Sequence, residues 1–267
     1  MAVAKNIVVY TALFGKHSGL VEQKNFKGID FICYTDRDDI QSKTWQIKKV
    51  ELPVRGDATR SARYYKLNPH EHLDAKYDVS IWIDANVLIL QNVHDLAYQW
   101  TKEHIVACFD HNVTVLDPRD CVYEECDAII KLGEETGGFK DDPQVMLEQM
   151  QGYRDAGFPE HYGLIFSAVV VRKHKDKDAI ALMQGWWHDL KNGSKRDQLS
   201  FNFNVWKLGL KDKVKVLPGD LRAGNPWFFM IRHRNDFRWK VFRTRLKKRL
   251  GLLKLKNLEP HKINTGK

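Results

Sequence analysis

The chain has 267 residues, 43% hydrophobic and 29% charged, which suits one large α/β domain or two small ones in a soluble globular enzyme. No apolar run approaches the roughly 20 residues that a membrane span needs, and the first fifteen residues read as a strand entering a loop and not as a cleavable signal. The formal net charge is +9, and four cysteines without a CxxC pair exclude a disulfide scaffold and a structural zinc site, so reduced thiols in a cytoplasmic protein are expected.

Residues 7–10 (IVVY) predict a first strand that ends at Thr11 and enters a loop containing Gly15. A second strand is expected over 30–35 (DFICYT), stopped by the polar turn Asp36-Arg37-Asp38-Asp39, and a more exposed third over 45–52 (WQIKKVEL). Residues 58–67 (ATRSARYYKL) carry no Gly or Pro and read as a helix closed by Asn68-Pro69. Arg60, Arg63 and Lys66 follow one another at intervals of three and share one helical face. That face suits bidentate pairing with phosphate, or is simply solvated.

The stretch 77–90 (YDVSIWIDANVLIL) reads as two buried strand segments, 79–83 and 87–90, interrupted by Asp84-Ala85-Asn86. Side chains alternate along an extended chain, so Asp84 and Asn86 point the same way. Polar groups inside an apolar run are costly unless they are hydrogen-bonded or hold something charged. Two oxygen-bearing side chains on one face suit a hard divalent cation, which can in turn hold a diphosphate. The other reading is that Asp84 and Asn86 only shape the turn between two strands.

A helix near 96–103 and a strand over 105–109 (IVACF) come next. The pattern loosens over 117–142, with a helix expected at 121–132 inside this insertion. His111 and the segment 119–125 (RDCVYEE) either line an acceptor pocket or form surface salt bridges. A helix at 145–156, a buried strand at 163–172 (GLIFSAVVVR), helices at 178–190 and 197–208, a strand at 214–217 and a loop at 219–226 complete the body. Asp197 and Gln198 open the 197–208 helix, where a carboxylate suits the positive helix end as a cap or as part of a substrate site. His233, flanked by Arg232 and Arg234, is of a type that binds Mn²⁺-like ions beside phosphate.

No period of 20–50 residues repeats, and strands alternating with helices predict a single α/β sandwich with a mixed sheet. The absence of G-x-G-x-x-G, of a Walker lysine loop and of G-x-S-x-G argues against a dinucleotide dehydrogenase, a P-loop NTPase and a covalent hydrolase.

The charge is localised in the tail. Nine of the 43 basic residues fall within 237–256, which contains no acid, so the remaining 34 match the 34 acidic residues. The expected division is a body over 1–236 and a basic amphipathic tail over 237–267. On a helix, Trp239, Phe242, Leu246, Leu250 and Leu253 form an apolar stripe, with Arg243, Arg245, Lys247, Lys248 and Arg249 around the rest. Such a helix suits an anionic membrane surface, with peripheral attachment at the inner face of a membrane as the implied location. The other reading docks the stripe on the body. Nucleic acid is not an expected partner, because no nucleic-acid module accompanies the charge.

The ordered series YTALFGKHSGL, DFICYTDRDD, RSARYYKLNPH, SIWIDANVLI, DCVYEECD, QGYRDAGFPEHYGL, VVVRKH, WWHDL and SKRDQLSFNF, spanning about 7–208, resembles the TOD1/MUCI70 glycosyltransferase-like domain family. More distantly, a strand ending in D-x-D and a later Asp-Gln pair are similar to GT-A glycosyltransferases, including the glycogenin-like ones. The resemblance implies a single GT-A-like, Rossmann-like domain with a mixed, mainly parallel sheet flanked by helices. It implies a nucleotide-sugar donor, with UDP-sugar expected, a divalent Mn²⁺ or Mg²⁺, and a glycan or lipid-linked acceptor.

By that analogy Asp84, Ala85 and Asn86 stand at the D-x-D positions, and Asp197 and Gln198 lie beside the donor sugar as catalytic candidates. His233 would complete the metal site. Thr11, Ala12, Phe14, Gly15 and Asp36, at the ends of the first strands, would hold base and ribose. Arg60, Arg63 and Lys66 would face the diphosphate, and Asp197 would assist the attacking hydroxyl. One departure is Asn86, a neutral ligand that weakens metal affinity relative to a second carboxylate. The alternative function is a non-catalytic carbohydrate- or nucleotide-binding protein that keeps the fold, which would bind donor without turnover.

Overall fold

Strand β1 (Ile7–Leu13) is buried at every position, which requires both faces of its sheet to be covered. Strand β2 (Ile29–Thr35) is buried except at Asp30, and β4 (Val79–Ile83) is buried throughout. These β-branched and aromatic runs are central strands, and the shorter, half-exposed β3 (Gln46–Lys49) is an edge. The computed structural model describes residues 6–15, 19–114, 116–223, 225–231 and 237–253.

The seven-stranded sheet is completed by β6 (Val106–Asp110), β7 (Ile165–Lys173) and β8 (Val214–Leu217), in the order β3-β2-β1-β4-β7-β6-β8. Every pairing is parallel except those of β7, which runs antiparallel to both β4 and β6. The sheet is therefore mixed and mainly parallel, as the alternation of strands and helices implied. One edge then gathers the carboxyl ends of β1, β2, β4 and β6 and the amino end of β7. Ligands bind at that edge in open α/β sheets.

Alternation along the strands divides the core in two. Val8, Tyr10, Ala12, Trp82 and Val170 pack on one face with α1 (Ala58–Leu67), α6 (Lys177–Asn192) and α7 (Gln198–Lys207). Ile7, Val9, Leu13, Ile81 and Val169 pack on the other with α3 (His94–Thr101) and β5 (Val87–Ile89). The loosely patterned insertion has a core of its own. Helices α4 (Val122–Thr136) and α5 (Pro143–Asp155) enclose Cys126, Met146 and Met150 against Leu199 and Phe203 of α7. All four cysteines are buried and free, and no helix among the described residues is long and apolar enough to cross a membrane.

One expectation is corrected, and two short elements carried no sequence signal. The first strand continues to Leu13, so Thr11 and Ala12 are buried sheet residues and not the start of a loop. Strand β9 (Phe228–Met230), for which three residues gave no periodic signal, pairs antiparallel with β5. Helix α1 closes at Leu67 with Asn68 as its cap, as expected, and a separate short helix α2 (Pro69–His72) follows with Pro69 at its first position.

The tail helix α8 (Phe237–Arg249) docks on the body, but not through the apolar stripe. Val241 joins Val21, Leu88 and Ile231 in a small buried cluster, and Thr244 is buried beside it. Arg245 donates to the carbonyl of Glu22 at 2.8 Å and Lys248 to that of Leu90 at 2.6 Å. Trp239, Phe242, Leu246 and Leu250 face outward and are 43–60% exposed.

Candidate active site

Lys66 ends α1 fully buried, a position that an ammonium tolerates only with a partner. Its partner is Asp197, which its Nζ contacts directly, although the two lie 131 residues apart in sequence. Arg63, one turn earlier, brings its Nε to 3.0 Å from the same carboxylate oxygen. Burial alone would push the Asp197 carboxyl up, but the charges of Arg63 and Lys66 outweigh it and hold the group ionised, well below the usual carboxylate range. The Lys66 ammonium also lies 5.8 Å from the ring centres of both Trp82 and Trp186, within cation–π range.

The same tryptophans extend the cluster. Trp186 Nε1 donates to the Asp197 carbonyl at 2.7 Å, and Trp82 Nε1 donates to Asp84 Oδ1 at 2.9 Å. Asp84, half-buried just beyond the end of β4, is the second negative charge felt by both Arg63 and Lys66. The four residues Asp84, Arg63, Lys66 and Asp197 thus form a compensated set at the carboxyl edge of the sheet.

Asp197 occupies the N-cap position of α7, yet its side chain makes no capping bond. The capping reading is therefore set aside in favour of the long-range ion pair. The turn before it is pinned from elsewhere: Asp141 accepts from Ser194 Oγ at 2.6 Å and from the Lys195 backbone N–H at 2.7 Å. Gln198 donates to the Ile165 carbonyl at the start of β7 at 3.1 Å.

Asn86 is buried, and its Nδ2 donates to the Ile231 carbonyl at 2.9 Å while the Ile231 N–H returns a bond to the Asn86 carbonyl. The side-chain nitrogen therefore fastens the start of β5 to the end of β9, continuing their antiparallel pairing by one residue. Among the described residues its Oδ1 and the Asp84 Oδ2 accept no hydrogen bond. One carboxylate and one carboxamide oxygen fit a hard divalent cation only as a sparse donor set, which leaves most coordination positions to other ligands. Ala85 lies between them, packed on the sheet core. His233 lies outside the described residues.

The other expected donor-site residues divide. Gly15, at φ +70, donates its N–H to Asp36 Oδ1 at 3.1 Å, which joins the ends of β1 and β2. Phe14 is buried and stacks on Tyr65 at 5.7 Å. The Arg60 guanidinium is taken up by protein acceptors: its Nη2 donates to Gly193 O at 2.7 Å, its Nε to Leu190 O at 3.2 Å, and its Nη1 pairs with Asp57. A cation on the last carbonyls of α6 is a structural strut.

One strand away, His111, Arg119 and Glu125 line a cavity of about 180 Å³, so they form a pocket and not merely surface salt bridges. Gln198, Phe166, Lys140, Arg196 and Arg222 line it as well. The last three were missed by sequence reasoning because they converge from the insertion, the α7 turn and the loop after β8. A separate surface group, Asp120, Glu124 and His161, brings three ligand-type atoms within 4.8 Å of one another. The His161–Asp120 contact at 2.7 Å raises the imidazole pKa and accounts for that grouping as an exposed ion pair.

A mainly parallel sheet with a charged set gathered at the carboxyl ends of its strands defines an α/β domain that binds ligands at that edge. The chain belongs to the TOD1/MUCI70 glycosyltransferase-like domain family, whose profile matches residues 4–218, ending before β9 and α8. Family membership supports glycosyl transfer as its general activity. Among solved structures it is similar to the apo form of the WbbM bifunctional glycosyltransferase, with TM-score 0.43 and 11% identity over 82% of this chain and 39% of that one. It is also similar to mouse xyloside xylosyltransferase 1 in its apo form, with TM-score 0.40 and 10% identity over 80% of this chain and 84% of that one. The chain thus spans about two fifths of the length of the first of these. No curated protein matches its sequence.

Proposed function

We propose that this chain is a nucleotide-sugar-dependent glycosyltransferase that moves a sugar from a nucleotide-diphosphate donor, a UDP-sugar in the first instance, to a hydroxyl of a glycan or lipid-linked acceptor. The observation that carries this reading is the convergence of Asp84 with the Arg63–Asp197–Lys66 set at the carboxyl edge of the sheet. Asp84 and Asn86 are the residues that would hold a Mn²⁺ or Mg²⁺ ion. Bound there, the ion would neutralise the charge of the diphosphate leaving group. Arg63 spends its Nε on Asp197 and keeps a partly exposed guanidinium for the same oxygens. Gly15 and Asp36 frame the end of the nucleotide crevice.

The environment of Asp197 argues against its taking the proton of the acceptor. A carboxylate held ionised by two cations is a weak base, and general-base catalysis needs a pKa near the working pH. Its part is to fix Arg63 and Lys66 at the donor side, with Gln198 beside it. Asp84→Ala in the folded protein should lower Mn²⁺-dependent UDP-sugar turnover by about 100-fold or more. Undiminished turnover by that variant sinks the assignment.

We also propose that the outward stripe of α8 binds an anionic membrane surface. Trp239, Phe242, Leu246 and Leu250 are exposed, Arg238, Lys240, Arg243, Lys247 and Arg249 surround them, and no acid interrupts the helix. Apolar insertion and basic charge together match an anionic bilayer. The body would then work peripherally at the inner face of a membrane. The full chain should float with vesicles containing phosphatidylserine and not with neutral ones, and Trp239→Ser with Phe242→Ser should abolish flotation. Equal flotation of wild type and variant would remove this reading.

A further inference from the structure

We infer that the cavity between β6, β7 and α4 is an anion-binding subsite, and that it receives the phosphate or carboxylate of a negatively charged acceptor. In naming an acceptor this rests on the glycosyltransferase reading; the anion site itself does not.

The walls of the cavity carry four cations: Arg119, Lys140, Arg196 and Arg222. Two of them are neutralised locally. Arg119 pairs with Glu125 at 2.6 Å, and Arg222 pairs with Asp117 at 2.6 Å. Lys140 and Arg196 have no carboxylate partner among the described residues. Arg196 reaches only the Gln198 carboxamide oxygen, at 3.3 Å, and its Nε is buried with no hydrogen bond. Partial desolvation of the exposed Lys140 and the nearby Arg196 charge push the Lys140 pKa down against the pull of Glu125 and Asp117, so the two cations repel one another across the cavity. Adjacent like charges in a partly dehydrated space, one of them with an orphaned donor, are relieved by an anion.

His111 gives an independent sign. It is 3% exposed, lines the same cavity, and its Nδ1 has no hydrogen-bond partner. Burial lowers its pKa, so the ring is a neutral hydrogen-bonding group and adds no charge of its own. An imidazole with its Nδ1 unpartnered and its Nε2 4.0 Å from Glu125, beside two cations that make no short ion pair, is a recognition surface for an oxygen-rich anion.

Position assigns the anion to the acceptor and not to the donor. The donor-side cations Arg63 and Lys66 belong to α1 and are balanced by Asp84 and Asp197. The cavity residues come from just after β6 (His111), from α4 (Glu125), from β7 (Phe166) and from the turns before α5, at the start of α7 and after β8. Arg196 and Gln198, either side of Asp197 in sequence, link the two regions: the Arg196 charge reaches the Asp197 carboxylate, and Gln198 bonds Ile165 at the start of β7. An acceptor anchored by its anion in the cavity would have its hydroxyls beside the donor side.

The test uses the whole 267-residue chain with three probes: inorganic phosphate, glucuronate and UDP, each titrated by calorimetry. Lys140→Gln with Arg196→Gln should weaken phosphate and glucuronate by about tenfold or more, since two charge-assisted hydrogen bonds are lost, and should leave UDP affinity within about twofold. Arg196→Lys should recover part of the loss by restoring the charge. Unchanged phosphate and glucuronate binding in the double variant overturns the subsite. UDP affinity falling in step with phosphate overturns the assignment to the acceptor, because the cavity then serves the donor diphosphate. Failure of the wild type to bind UDP at all would count against the glycosyltransferase reading while phosphate binding still stands.

Discussion

Two charged regions sit one strand apart on the same edge of the sheet, and they are built on opposite terms. The set Asp84, Arg63, Lys66 and Asp197 is closed: two anions meet two cations, with the indoles of Trp82 and Trp186 around the buried ammonium. The cavity lined by His111, Lys140 and Arg196 is open: it holds more positive charge than its own carboxylates neutralise. A compensated buried set gives rigidity and holds a backbone frame without a ligand, whereas an uncompensated one is stable only because it stays partly solvated, and it keeps its free energy for a binding partner. The first region is therefore where substitution should cost stability, and the second is where it should cost binding.

The largest effect is expected from Lys66→Met. The methylenes are replaced at similar volume, but Asp197 keeps its buried charge with only Arg63 in contact and Arg196 farther off, so stability should fall by about 3–5 kcal/mol in denaturant unfolding. A loss under about 1 kcal/mol would mean that the Asp197 side chain can reach water, and the contrast between a closed and an open region would collapse.

Acid unfolding probes the same set with a defined sign. The folded-state pKa of Asp197 lies below its unfolded value of about 3.9, so its stabilisation is complete well above that pH and is lost as pH falls beneath it. An earlier stage comes from His72 and His174, which burial, with Arg172 nearby, pushes down to about 3 and about 4. Both are held neutral in the fold, so their contribution is present above the unfolded value of about 6.5 and declines below it. Unfolding free energy measured against pH should fall in two stages. Asp197→Asn should remove the lower stage and leave the upper. A single stage unaffected by that variant would refute the ionised pair.

Local chemistry made the scaffold legible and left the site half hidden. Residues 58–67 fold as the sequence pattern predicts because the determinants lie within the segment: no Gly or Pro, with Asp57 capping the Arg60 N–H. Strands β2 and β4 were equally clear from their apolar runs. Site residues depend on partners that no local window contains. Arg60 and Arg63 look alike on a helical face, yet one braces the end of α6 and the other meets Asp197. Asp197 looks like an N-cap and acts as the counter-ion of a lysine on another helix. The α8 stripe was visible as a pattern, but which face docks was decided by Val21 and Leu88, far away in the chain. Lys140 and Arg222 gave no signal, because convergence and not spacing brings them to the cavity.

The smallest effect should come from the open region, and its size is the sharpest check on the contrast. Lys140 is largely exposed, and the Arg196 guanidinium makes one long hydrogen bond. Removing both charges deletes no short ion pair and relieves the repulsion between two cations. Lys140→Gln with Arg196→Gln should therefore leave unfolding free energy within about 0.5 kcal/mol of wild type, or raise it slightly. Added phosphate should separate the proteins further. A ligand that binds only the folded state stabilises it in proportion to occupancy, so the wild-type melting temperature should climb with phosphate concentration while that of the double variant stays flat. If the double variant instead loses several kcal/mol without phosphate, those two cations are structural, and the cavity is a second closed set after all.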